Sequence, residues 1–236
     1  MLKKAILFTS VFAAAVYIVL QIIGVSGFEL VFYLINAAVI VYAVASSLGG
    51  AVRLGDKDAL FTGALGLGAI AVSDIYYLAY IAVSDGAVSD VNITDYSNAV
   101  SYVFFLSALT LLILPPYKWE RALHIGVSAV CAVTVIVTTY AIIINSENLL
   151  YITVIFTAVC CLALSGAVLY QSFRIRQLRT ARIFAYSMLF LGLLDVAVYL
   201  SFILGLAVNV QTIFISMYTP LYVWICGGLL RLRKEV

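Results

Sequence analysis

The chain has 236 residues, of which 65% are hydrophobic and 10% are charged, and its formal net charge is +2. A soluble domain carries about 25% charged residues, so this composition excludes an ordinary soluble protein. Its mean hydropathy of +1.17 predicts a membrane protein.

Eight apolar runs follow one another along the chain. Each is long enough to cross a hydrocarbon core of about 30 Å as a helix that rises about 1.5 Å per residue. They are Ala5–Ser26, Phe28–Gly50, Leu60–Val83, Tyr96–Leu114, Leu123–Asn145, Leu149–Phe173, Ile183–Leu206 and Val210–Leu230. The sequence therefore predicts an all-α polytopic membrane helix bundle with eight transmembrane helices, which forms a single integral membrane domain over residues 1–236.

The first run, MLKKAILFTSVFAAAVYIVL, has the basic start and apolar centre of a signal peptide. It is long for the apolar region of such a peptide, and no A-x-A cleavage site follows. We predict that it is retained as the first helix. Cleavage, which would leave seven helices, is the alternative.

The basic residues indicate the orientation, because Lys and Arg are retained on the cytoplasmic side of a membrane. All thirteen fall at the N-terminus, in every second connection or at the C-terminus. The charged residues of the other connections are all acidic. This pattern predicts a multi-pass protein of the cell (inner) membrane with both termini cytoplasmic. It also predicts attraction to anionic membrane lipids and gives no indication of nucleic-acid binding.

The third and seventh runs each carry an acid near their centre, Asp74 and Asp195. The third reads LGLGAIAVSDIYYL and the seventh LFLGLLDVAVYL. This similarity suggests a 4+4 parallel duplication, with halves 1–116 and 117–236 related by an axis along the membrane normal. An acid at mid-membrane costs about 2.5–3.5 kcal/mol on insertion scales, so such residues face the bundle interior and indicate function.

The candidate site is built around these two acids. Tyr77 and Tyr199 lie one helical turn beyond Asp74 and Asp195, where each phenol can reach a carboxyl group. We predict a ligand-binding site formed by Asp74, Tyr77, Asp195, Tyr199, Asn98 and Ser73. The wider set of polar residues in the apolar runs is Gln21, Asn36, Ser101, Thr138, Thr139, Ser187, Gln211 and Thr219, and an aromatic interior is predicted from Tyr76, Tyr80, Tyr102, Tyr218 and Tyr222.

The last run contains Pro220, which cannot donate a backbone hydrogen bond and frees a carbonyl one turn earlier, near Ser216. A kink is expected there. The same run contains no Lys, which excludes a microbial retinal protein. The four cysteines lack the spacing of metal ligands, so neither a metal site nor a cofactor is expected.

In GALGLGAIAVSDIYYL, YSNAVSYVFFLSALTLLI and SMLFLGLLDVAVYL, the chain resembles the eight-helix lysoplasmalogenase-like family of membrane hydrolases. The resemblance implies acid and base roles in catalysis for Asp74 and Asp195. The Lys-Pro pair of that family's second helix and the His of its fourth have no counterpart in FYLINAAVIVYAV and Tyr96–Leu114.

The chain also resembles the multi-helix membrane sensor regions that precede bacterial diguanylate cyclases and kinases. Those regions often place an Asp and aromatic residues in a mid-bundle helix and an Asp-Tyr pair before the next helix, as Asp95-Tyr96 does here. The resemblance implies ligand sensing and, since this chain ends at RLRKEV, signalling through a protein partner.

Three functions therefore remain open. The first is a sensor-like protein that binds a small or lipidic ligand at a midplane acidic and aromatic pocket. The second is a lysoplasmalogenase-like lipid ether hydrolase, and the third is a proton-coupled carrier of small solutes. The absence of a fixed base inside the membrane favours the sensor over the enzyme.

Overall fold

The computed structural model describes residues 2–23, 29–54, 58–83, 93–113, 120–174, 180–206 and 213–232. The described residues are almost entirely helical and contain no strand. The eight helices are α1 (Leu2–Ile23), α2 (Glu29–Leu54), α3 (Asp58–Val83), α4 (Ile93–Leu111), α5 (Glu120–Ile143), α6 (Glu147–Arg174), α7 (Ala181–Ile203) and α8 (Tyr218–Arg231). Each coincides with one predicted apolar run, so the all-α bundle is confirmed.

Five of these helices, and α8 together with residues 213–217 before it, are long and apolar enough to cross a membrane. Their spans are Leu30–Gly49, Asp58–Tyr80, Arg121–Ile143, Glu147–Arg174, Ala181–Ile203 and Ile213–Arg231. The apolar parts described for α1 and α4 are shorter, Phe8–Leu20 and Tyr96–Leu111. The chain thus has the helices of a membrane protein, and the crossing of all eight stays a prediction.

Two tight turns end α5 and α7. Asn145 and Gly205 adopt the left-handed conformation, with φ of 53° and 61°. The next residue in each case donates its N–H back to the helix, from Ser146 to the Ala141 carbonyl at 2.8 Å and from Leu206 to the Ser201 carbonyl at 2.9 Å. This is the hydrogen-bond pattern of a Schellman motif, and it lets α6 follow α5 as an antiparallel neighbour.

Consecutive helices pack against one another, and α4 and α8 make further contacts. Helix α4 also packs on α6, and α8 also packs on α1, α2 and α3. Helix α7 is the most buried of the spans, since 56% of it lies inside the protein, whereas only 17% of the α5 span is buried. Most of the α5 surface therefore faces the surroundings of the bundle.

Glycines allow two of the closest helix contacts. A Cβ atom added to Gly228 of α8 would lie 2.7 Å from the Cα atom of Phe184 on α7. One added to Gly66 of α3 would lie 2.6 Å from the ring of Phe105 on α4. Small residues commonly permit such contacts between membrane helices, where backbones must approach closely to pack.

The last helix is interrupted where Pro220 predicts a kink. A single helical turn, 213–216, precedes α8, and the break falls at Met217. The Met217 carbonyl accepts the N–H of Leu221 at 3.4 Å, and Ser216 uses its hydroxyl to bond the Ile213 carbonyl at 2.8 Å. The break places Tyr218 and Thr219 at the start of α8.

Candidate ligand site: a carboxylate network joined by the last helix

Asp195 of α7 is buried, with 6% of its surface exposed. Its Oδ2 accepts a hydrogen bond from the hydroxyl of Tyr102 on α4, and its Oδ1 accepts one from the hydroxyl of Tyr218 on α8. Each carboxyl oxygen thus has its own donor, and the donors come from two different helices. These bonds offset the cost of burying a carboxyl group inside an apolar bundle.

Asp74 of α3 is only partly buried and has a different set of partners. Asn36 of α2 donates from Nδ2 to the Asp74 Oδ2 at 2.8 Å. The Oδ1 of Asn36 in turn accepts the hydroxyl of Thr219 at 2.7 Å. A continuous chain of hydrogen bonds therefore runs from α8 through α2 to Asp74.

Helix α8 connects the two acids. Tyr218 and Thr219 are neighbours in sequence, and because successive helical residues point about 100° apart, one reaches Asp195 and the other reaches Asn36. One turn further, Tyr222 stacks on Tyr218 with ring centroids 6.0 Å apart. Tyr222 is also close enough to both carboxyl groups to interact electrostatically with each.

We call this group the carboxylate network. Its members are Asp74, Asp195, Asn36, Tyr102, Tyr218, Thr219 and Tyr222. It draws side chains from α2, α3, α4, α7 and α8, and all of the donors named are neutral. Such an arrangement can bind a proton, or a ligand group that donates hydrogen bonds to carboxyl oxygens.

The tyrosines predicted from helical spacing lie beside other aromatic rings. The ring of Tyr77 packs edge-on against Tyr33, with centroids 4.9 Å apart. Tyr199 is buried, and its ring lies 5.4 Å from that of Tyr151 and 6.1 Å from that of Phe202. Both tyrosines stand on the same helices as the acids, and their rings contact aromatic rings of α2 and α6.

The remaining predicted polar residues divide into three groups. Ser73 is buried next to Asp74 in the chain, and Asn98 is partly buried with its backbone carbonyl accepting the Ser101 hydroxyl at 2.7 Å. Thr138, Thr139 and Ser187 bond carbonyls of their own helices. The side chain of Gln21 and the whole of Gln211 lie outside the described residues.

The donors described above for the two acids, Asn36, Tyr102 and Tyr218, come from the wider sets of predicted polar and aromatic residues. Spacing along one helix identifies neighbours on that helix, which led to Tyr77 and Tyr199. The donors described above stand on other helices. Only the packing order of the helices could have selected Asn36, Tyr102 and Tyr218 among the polar residues of the apolar runs.

Two apolar grooves are found elsewhere in the described part of the chain. One, of about 440 Å³, lies between α4, α5 and α6, and the other, of about 180 Å³, lies between α1 and α2. Neither is lined by Asp74 or Asp195.

Comparisons of the chain with protein-family models, with curated proteins and with solved structures give no match. A functional interpretation therefore depends on the geometry of the bundle.

Proposed function

We propose that the protein is a sensor-like membrane protein that binds a small or lipidic ligand at the carboxylate network. The observation that carries the proposal is the double attachment of α8, which bonds Asp195 through Tyr218 and reaches Asp74 through Thr219 and Asn36. A ligand at Asp195 competes directly with the α8 residue Tyr218, and a ligand at Asp74 competes with Asn36, which α8 contacts through Thr219.

Asp74 is the acid better placed to receive a ligand, because it is partly exposed whereas Asp195 is buried. One of its oxygens accepts the amide of Asn36, which a ligand hydroxyl, amide or amine can replace. The tyrosine rings nearby favour an apolar body attached to that donor. The expected ligand is therefore an amphipathic molecule with one or more hydrogen-bond donors.

Displacement of Asn36 from Asp74 would change the environment of Thr219, because the same amide side chain accepts the Thr219 hydroxyl. The helix break at Met217 lies directly before this contact. In the proposed mechanism α8 shifts at the break when the ligand binds. A protein partner at the membrane surface then binds the shifted form of the protein differently.

Native mass spectrometry and lipidomics of the purified protein test this proposal. We expect a co-purifying small molecule or lipid that is lost in the Asp74→Asn/Asp195→Asn double variant. Asp58→Asn, which changes an exposed acid on α3, is the matched control and should retain the molecule. Identical profiles for all three proteins would mean that the acids serve packing alone.

Proton-coupled transport is the second candidate, and the helix break beside the carboxylate network favours it. A carrier needs two accessible states of one site, and a discontinuous helix is typical of such sites. Solute uptake into vesicles that collapses in Asp74→Asn or Asp195→Asn would establish transport. Release of aldehyde from lysoplasmalogen would instead establish the hydrolase.

We further propose that all eight helices cross a cell (inner) membrane with both termini on the cytoplasmic side. The supporting observation is the distribution of all thirteen basic residues in the sequence. Reporter fusions at the two termini test the orientation.

We also propose the 4+4 duplication, which the packing pattern supports. Helix α4 packs on α5 and α6, and correspondingly α8 packs on α1 and α2. A rotation that relates the first half to the second would also relate these contacts. It would exchange α3 with α7, the two helices that carry the acids.

A further inference from the structure

An apolar groove of about 440 Å³ separates parts of α4, α5 and α6. We call it the α5–α6 groove. Its lining residues are uncharged, and three of them, Ala122, Gly126 and Ala163, are among the smallest side chains. The small residues create the space, since larger ones on α5 and α6 would fill it.

The groove opens at the surface of the bundle that faces lipid. Gly126 and Ala163 are exposed, as is the neighbouring Ile125 at 62%. A Cβ atom added to Gly126 would meet no atom within 4 Å. A hydrocarbon chain from the surrounding membrane can therefore enter the groove from the side.

The face of α6 that lines the groove also carries a basic side chain, Arg174, at the end of the helix. Cys160 and Ala163 line the groove, and residues 167, 170 and 174 follow at the spacing that keeps side chains on one helical face. The guanidinium of Arg174 lies 4.5 Å from the centroid of the Tyr170 ring. Arg174 stands about 16 Å along the helix from Ala163, at a rise of about 1.5 Å per residue.

Arg174 lies at the end of the bundle that the groove approaches. Helix α6 ends at Arg174 and α5 begins at Glu120, and the short turn between the two helices makes them antiparallel neighbours. The start of α5 and the end of α6 are thus at the same side of the bundle. The groove lining reaches that side at Ala122.

We propose that the α5–α6 groove is a binding site for one anionic phospholipid, with an acyl chain in the groove and the phosphate at Arg174. The apolar lining suits hydrocarbon, and guanidinium groups bind phosphate oxygens through paired hydrogen bonds. A second copy of the chain would have to bring a helix about 10 Å wide into a groove of this size. This site is separate from the carboxylate network, so the proposal does not depend on the proposed function.

Lipid titration followed by native mass spectrometry tests the proposal. The intact protein in detergent is mixed with equal amounts of phosphatidylglycerol and phosphatidylcholine that carry the same acyl chains. We expect one phosphatidylglycerol to be retained in preference to phosphatidylcholine. A surface Arg contributes about 1 kcal/mol toward anionic lipid, so Arg174→Gln should reduce that preference about fivefold.

Groove-filling variants locate the site. Gly126→Phe places a ring in the groove and should abolish retention of the lipid, and Ala163→Phe should do the same from the opposite wall. Gly49→Phe on α2 is the matched control, because Gly49 is also exposed with open space around it but does not line the groove. Its retention should equal that of the unchanged protein.

Three results would overturn the proposal. The first is equal retention of the two lipids, and the second is unchanged retention in both groove-filling variants when they elute as folded protein. The third is a dimer that Gly126→Phe dissociates, because a second copy would then occupy the groove.

Discussion

At the scale of single residues, the notable feature is how completely the buried acid is hydrogen-bonded. Both oxygens of Asp195 accept a tyrosine hydroxyl, and the tyrosines come from α4 and α8. Removing one hydroxyl leaves a buried carboxyl oxygen without its donor. Individual hydrogen bonds between membrane helices contribute about 0.6 kcal/mol on average and up to about 1.7 kcal/mol.

Tyr102→Phe should therefore lower the free energy of unfolding by about 1–2 kcal/mol, since the lost bond is to a carboxyl group. Reversible unfolding with SDS in mixed micelles measures the change. Tyr186→Phe, which alters an exposed tyrosine on α7, is the control and should have little effect. Equal stability of the two variants would show that the Tyr102 hydroxyl does not support Asp195.

The Thr219 hydroxyl offers a second test at this scale. Thr219→Val keeps the shape of the side chain but removes the donor to Asn36, and it should cost about 0.6–1.7 kcal/mol. Thr139→Val removes a hydroxyl that bonds only a carbonyl of its own helix, on the exposed side of α5, and should cost less. A larger effect of Thr139→Val in the same unfolding assay would contradict the link between α8 and α2.

At the scale of helices, the contact between α7 and α8 holds the network together, because Asp195 and Tyr218 stand on these two helices. Gly228→Ala would bring a methyl group to within 2.7 Å of the Phe184 backbone and must push the helices apart. Overpacking of this kind costs about 1–3 kcal/mol. The neighbouring Gly227→Ala meets no atom within 4 Å and should leave stability unchanged or slightly raised.

Thermal unfolding in detergent compares the two variants directly. If Gly227→Ala proved as destabilising as Gly228→Ala, close contact of α8 with α7 would not be the reason for glycine at residue 228.

The helices themselves could be predicted well, and their pairing could not. Apolar runs fix where helices form, because a membrane leaves no other partner for the backbone of a crossing segment. The acids were identified from their depth in the third and seventh runs. Asn36 and Tyr102 were predicted only as members of the wider polar and aromatic sets, since they reach Asp74 and Asp195 only after distant helices have packed.

At the scale of the whole molecule, the two halves contact each other through several helices. Helix α4 packs on two helices of the opposite half and α8 packs on three, and Tyr102 of the first half bonds Asp195 of the second. Fragments 1–116 and 117–236, expressed together, should therefore co-purify. Independent purification of the two fragments would contradict the packing order, and a tagged fragment expressed alone is the control.

The central claim is that the two acids belong to one network joined by α8, and a double-mutant cycle tests it most directly. The free energy of unfolding is measured for the unchanged protein, for Asp74→Asn, for Asp195→Asn and for the double variant. Contacting or jointly bonded residues show interaction energies of about 0.5–3 kcal/mol, whereas independent sites add within about 0.3–0.5 kcal/mol. We predict an interaction energy above that additive limit; additive effects of the two substitutions would show two separate carboxyl groups and contradict the proposed site.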